Sequence, residues 1–223
     1  MAAITSSVPP AAESPMAAAP QVLLLHGIWN ARPWLLPLAL RLRREGWRVA
    51  SFGYSTAFGG AEAALPRLHA RIERMAATGP VALVGHSLGG LVALQALQEV
   101  PSLPVTRVVC LGSPLAGSAA ARALAQRRLG LALGRSAALL QQGVARWDGP
   151  AEVGVVAGTV ARGLGARFVA LGPESDGSVA LAETSVPGLG DHCRVRASHS
   201  GLLFSAQAAR QTAAFLRDGR FAA

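Results

Sequence analysis

The stretch that most constrains this chain of 223 residues is Val81-Ala-Leu-Val-Gly-His-Ser87-Leu-Gly-Gly. A short apolar run of the kind that forms a buried strand passes within three residues into helical spacing from Leu88 to Glu99. So abrupt a reversal brings strand and helix close together, and Gly85 and Gly89 stand where any side chain would obstruct it. The serine between them takes a strained backbone and presents Oγ at the positive end of the helix, with the Leu88 N–H aimed at a developing oxyanion. Ser87 is therefore the candidate nucleophile. A bare G-x-S-x-G pentapeptide would be weak evidence in a chain with 25 glycines, but the preceding strand, the following helix and Gly90 supply the context.

From Gln21 onward, short apolar runs alternate with longer amphipathic stretches, the pattern of a parallel sheet joined by crossover helices. Strands are expected at 22–25, 48–52, 81–84, 105–111, 153–157 and 192–195, with helices at 34–45, 61–77, 88–99 and 205–217. Gly46 and Gly79 fall where helices would end. The expected fold class is α/β: a minimal, mostly parallel six-stranded sheet with helices on both faces, forming one domain over residues 21–223. Residues 1–20, rich in Ala, Pro and Ser, read as a disordered tail without a secretory leader, with Met16 as an alternative start. Segment 114–150 is longer than a crossover needs and reads as helical, either as ordinary packing or as a cap over the site.

Serine chemistry needs a second oxyanion donor, a base and an acid. Leu23-Leu-Leu-His26-Gly27-Ile28-Trp29 ends a strand in His-Gly, and the Ile28 N–H is the candidate donor, with His26 holding the loop by side-chain hydrogen bonds. Of five histidines, His199 is the candidate base, because it lies in the loop Ala197-Ser-His199-Ser-Gly after the last strand; His192 is the runner-up. His69 falls mid-helix. The acid should lie between Ser87 and His199, and Asp176, in Gly172-Pro-Glu-Ser-Asp176-Gly-Ser, is favoured over Glu174 and Asp191 by its turn context. Gly27, Trp29 and His86 are expected to contact substrate. The apolar residues Ile28, Trp29, Trp34 and 202–204 suit either an acyl chain or plain core.

These pieces, together with Gly112-Ser-Pro-Leu-Ala-Gly117-Ser after the fourth strand, resemble the lipase-like branch of the α/β-hydrolase superfamily, which includes bacterial lipases, esterases and deacylases of lipid anchors. The resemblance runs from Gln21 to the C-terminus. It implies that Ser113 and Pro114 shape the acyl side of the pocket, and that Ser87, Asp176 and His199 follow the serial order of that fold. The chain departs from true lipases in its shortness and in lacking a cluster of calcium-loop carboxylates. The expected activity is hydrolysis of an acyl or lipid ester, with a thioesterase, an acyltransferase or an inactive binding protein as alternatives. No metal and no cofactor is expected.

All 21 basic residues are arginine, and the formal net charge is +9. Complete replacement of lysine reads as compositional bias, and the arginines are scattered without a nucleic-acid-binding motif, so no nucleic-acid partner is expected. Weak association with an anionic membrane surface fits the charge better. No apolar run approaches the about 18 residues of a membrane span, and two lone cysteines, Cys110 and Cys193, suggest a reducing, cytoplasmic setting.

Overall fold

A computed structural model describes residues 19–56, 59–127, 130–163, 171–172 and 174–223. The expected N-terminal tail lies, up to residue 18, outside the described residues.

Six strands form one sheet: β1 (Gln21–Leu25), β2 (Arg48–Phe52), β3 (Val81–His86), β4 (Val105–Leu111), β5 (Glu152–Gly158) and β6 (Asp191–Val195). Their order is β2-β1-β3-β4-β5-β6, and every neighbouring pair is parallel. The alternation of side chains along each strand sorts the core into two layers. Leu23, Leu25, Leu83, Val108, Cys110 and Val155 point to one face, and Val22, Leu24, Val84, Val109, Leu111 and Val156 to the other. Both faces are buried, which is why these runs are continuously apolar.

The helices are α1 (Leu36–Arg44), α2 (Leu65–Ala76), α3 (Leu88–Glu99), α4 (Ala119–Gln126), α5 (Ala137–Gln142) and α6 (Ala206–Asp218). On the first face pack α2 through Leu65, Leu68 and Ile72, and α3 through Leu91, Leu94 and Leu97. The second face receives α1 through Leu38 and Leu42, and α6 through Ala209, Phe215 and Leu216. Two expected helices begin differently. A 3-10 turn, at Arg32–Leu35 and at Glu62–Ala64 respectively, leads into α1 and α2, whose first turns hold Pro37 and Pro66 where the missing N–H has no helical partner to lose. Segment 114–150 holds α4, a 3-10 stretch at Gly130–Ser136 and α5. Among the described residues no helix is long and apolar enough to cross a membrane.

Strand order reverses direction between β1 and β3, because the chain leaves β1 for the β2 edge and returns to build the other side. In an open parallel sheet such a switch point opens a crevice beyond the carboxyl ends of the strands. His26 follows β1 and Ser87 follows β3, so both stand at that crevice.

Candidate active site

Ser87 has φ 55° and ψ −120°, a backbone region that side chains rarely adopt. Three glycines make this turn possible. A Cβ on Gly85 would lie 2.3 Å from the backbone of Gly89 and Gly90, one on Gly89 would lie 2.4 Å from the Leu25 carbonyl oxygen, and one on Gly90 would lie 2.1 Å from Ser113 Oγ. Strand, turn and helix are thus pressed together at backbone contact. The Ser87 N–H donates to the Leu111 carbonyl at 2.9 Å, tying the turn to β4.

The loop after β1 approaches from the other side of the crevice. Gly27 is required there, since a Cβ on it would lie 3.0 Å from Ser87 Cβ. His26 braces this loop: Nδ1–H donates to the Gly27 carbonyl at 2.9 Å, Nε2 accepts weakly from the Tyr54 N–H at 3.4 Å, and the ring stacks on Tyr54. Tyr54 Oη–H donates to the His26 carbonyl at 2.6 Å. Burial holds the His26 imidazole below its ordinary pKa, which keeps it neutral and suited to this paired role. Trp29 follows with φ 56°, a strained conformation for a large side chain, and its N–H reaches Thr56 Oγ1 at 3.4 Å. Among the described residues neither the Ile28 nor the Leu88 amide meets a backbone acceptor outside regular structure.

Asp176 and His199 come together as a pair. His199 Nδ1–H donates to Asp176 Oδ2 at 2.7 Å, and the His199 N–H donates to the Asp176 carbonyl at 2.9 Å. The second carboxylate oxygen, Oδ1, accepts from the N–H groups of Ser178 and Val179 at 2.8 and 2.7 Å. With Asp176 only 1% exposed, these bonds fix the carboxylate, and the carboxylate in turn fixes the tautomer of His199, leaving Nε2 as the basic nitrogen. Gly112, at φ 56°, makes room for the pair: a Cβ there would lie 3.0 Å from Asp176 Oδ2 and 3.2 Å from His199 Nδ1.

Ser87 and His199 line one cavity of about 370 Å³ together with Ile28, Trp29, Asn30, Trp34 and Pro114. Its far wall is apolar and comes from segment 114–150: Ala120, Ala121 and Leu124 of α4, Leu133, and Leu140 of α5. The wall is anchored by Glu183, a buried carboxylate that accepts from the Ala119 N–H at the start of α4 with one oxygen and from the Ala180 N–H with the other. One side chain thereby joins the wall to the loop that carries Asp176, at the end of a helix that favours negative charge.

Not every expected residue reaches the cavity. His86 lies behind it, because β3 continues through His86 and turns its ring inward. There Nε2–H donates to the His199 carbonyl at 3.0 Å, Nδ1 is buried without a partner among the described residues, and burial pushes the pKa down to about 3. Ser113 is fully buried, with its Oγ against the Gly90 backbone rather than on the cavity wall. The remaining candidates for acid and base are spoken for elsewhere. Glu174 pairs with Arg194 at the surface, Asp191 accepts from the Phe221 N–H, and His192 bonds Thr184. Sequence reasoning missed Asn30, Val179, Leu124, Leu133 and Leu140 as lining residues; the three leucines were visible only as the apolar positions of segment 114–150.

A family model described as the alpha/beta hydrolase family matches residues 22–219. Among solved structures, the mature lipase BlEst2 of Bacillus licheniformis superposes with a TM-score of 0.72 at 19% identity, covering 92% of this chain and 94% of that one. A metagenomic carboxyl esterase, MGS0156, gives 0.57 at 17% identity over 86% of this chain and 68% of that chain. Phospholipase PlaB of Legionella pneumophila gives 0.57 at 16% identity over 74% and 44%. The search of curated proteins returned no match.

Proposed function

Because the chain belongs to the alpha/beta hydrolase family, we propose that it is a serine hydrolase that cleaves a carboxylic ester with an apolar acyl group, through an acyl-enzyme on Ser87. The observation that carries this reading is the Asp176–His199 pair at 2.7 Å, whose histidine lines one cavity with a serine held at φ 55°.

Ser87 Oγ attacks the acyl carbonyl carbon while His199 Nε2 takes its proton. Negative charge gathers on the carbonyl oxygen between the N–H groups of Ile28 and Leu88, with the latter at the positive end of α3. Collapse of this tetrahedral species breaks the ester bond, and His199 returns the proton to the departing alcohol. Water then repeats the sequence: His199 takes its proton, the hydroxide adds to the acyl carbon, and the carboxylic acid leaves as Ser87 regains the proton. Asp176 orients the imidazole and stabilises the imidazolium; related dyads lose about 10⁴-fold in kcat when the carboxylate becomes an amide.

The apolar wall from Ala121, Leu124, Leu133 and Leu140 favours an acyl chain over a polar acyl group. The names of the structural neighbours, lipase, carboxyl esterase and phospholipase, are in keeping with an ester substrate. The test is turnover of p-nitrophenyl esters of graded chain length beside acyl-CoA thioesters, with wild type and Ser87→Ala. Ester cleavage lost in the variant supports the reading. Preference for acyl-CoA would move it to a thioesterase, and no turnover of either class would refute it.

A further inference from the structure

A second concavity, of about 830 Å³, lies at the β2 edge of the sheet and shares no lining residue with the first. Its wall contains Arg32, Arg67, Arg71 and Arg74, together with Ser51 and Ser55. We propose that this groove is a binding site for a phosphate-class oxyanion carrying more than one negative charge.

Three of the arginines come from one helix. Positions 67, 71 and 74 are separated by four and three residues, which sets them on one face of α2, and Ala70 between them leaves the face open. Like charges at this spacing repel one another, and an arrangement of this kind is relieved by an anion held between them. No acidic side chain relieves it in the fold: among the described residues the ion pairs of the chain involve Arg107, Arg122, Arg146, Arg194, Arg217 and His199, and none of these four. Among the described residues the groove walls hold no carboxylate either.

The fourth guanidinium arrives from a different element. Arg32 stands at the start of the 3-10 turn before α1, and its side chain lies flat over Gly53, where a Cβ would be 3.1 Å from Cδ and Nε. The glycine is what lets the arginine lie there. The Arg67 guanidinium sits 5.7 Å from the centre of the Phe52 ring, and Phe52 is itself buried. Two of the four cations are thus held by packing before any ligand arrives. Planar guanidinium groups bind phosphate oxygens in pairs, so converging ones favour a multiply charged phosphate over a chloride or a single carboxylate.

The phosphate could belong to a soluble molecule or to a lipid headgroup, and the two are separated by using different probes. Calorimetric titration with inorganic pyrophosphate tests the first; sedimentation with phosphatidylcholine vesicles containing phosphatidylglycerol tests the second. The double variant Arg67→Ser/Arg71→Ser is compared with Arg44→Ser/Arg210→Ser, which removes the same charge from exposed positions outside the groove. The expected result is binding of at least one probe, weakened about tenfold or more in the groove variant and little changed in the other. Pyrophosphate binding identifies a soluble phosphate, and binding to vesicles alone identifies a headgroup. Equal losses in the two double variants would reduce the effect to net charge and overturn the proposal, as would no binding of either probe. Arg74→Ser, at the exposed last turn of α2, repeats the comparison if the double variant fails to fold. The readout is binding, so the outcome stands whether or not Ser87 is a nucleophile.

Discussion

The two sides of the cavity are built from different materials. On the Ser87 side backbone meets backbone: Gly85 against Gly89 and Gly90, Gly89 against Leu25 and His26, Gly27 against Ser87. Nothing there can be enlarged without moving a strand or a helix. On the far side the wall consists of side chains, Ala121, Leu124, Leu133 and Leu140, from short helical pieces of six to eight residues. The contrast marks where this molecule is fixed and where it can vary: the proposed nucleophile is held by main-chain geometry, while the pocket proposed to select the acyl group depends on replaceable volume.

The contrast is probed most strongly by removing the chemistry and leaving the packing. His199→Ala is expected to lower kcat by about 10⁴-fold to 10⁶-fold while circular dichroism and thermal unfolding stay close to wild type. A variant that keeps most of its activity would show that His199 is not the base. Gly89→Ala acts the other way, on packing: its methyl would meet the Leu25 carbonyl oxygen at 2.4 Å, and a stability loss of about 3 kcal/mol in urea unfolding is expected. A Gly89→Ala variant as stable as wild type would mean that strand and helix cross with room to spare.

Gly112→Ala tests the join between the two materials. Its methyl would intrude between the Asp176–His199 pair and Leu202, and it would also impose a side chain at φ 56°. A fall in kcat of about 10²-fold is expected, with KM changed less, because displacements of about 1 Å at reacting groups cost this much. On the wall side, Ala121→Leu should shift the preferred p-nitrophenyl ester towards shorter chains, by about tenfold in kcat/KM between long and short esters. An unchanged chain-length profile would place the acyl group elsewhere.

His86 supplies a pH signature for the fixed side. Its folded pKa of about 3 lies below the ordinary 6.5, because burial disfavours the charged ring. The unfolded chain therefore binds a proton that the folded one refuses, and stability falls as pH drops from about 6.5 towards 3, while above 6.5 the group has no effect. His86→Gln, whose amide can still donate to the His199 carbonyl, should flatten that part of the stability curve. An unaltered slope would assign the acid sensitivity to other groups.

Most of the frame was legible in the sequence because burial on both faces writes the inner strands β1, β3, β4 and β5 as largely apolar runs. All six strands fall within two residues of the expected bounds at either end. The largest departure is at β3, which continues to His86 because a polar residue there is accommodated by a carbonyl 113 positions away, a partner that no local pattern announces. Asp176 and His199 could be proposed from serial order and loop context, although what joins them is a contact over 23 positions and a gap made by Gly112. The resemblance to α/β hydrolases that the motifs carried is borne out by the family match over residues 22–219. The lining of the wall was not legible, since an apolar position in a helix reads the same whether it faces core or cavity. The groove was equally hidden: spacing along α2 suggests one arginine-bearing face, but Arg32 joins it only through the fold.

Everything proposed for the cavity depends on Ser87, held at its strained turn, being a nucleophile activated by His199. The decisive measurement is labelling with a fluorophosphonate probe followed by peptide mapping. One adduct on Ser87 in the folded protein, abolished in Ser87→Ala and after denaturation and strongly slowed in His199→Ala, is the predicted result. An unlabelled Ser87 in folded wild type, or labelling that persists at the same rate without His199, would contradict it.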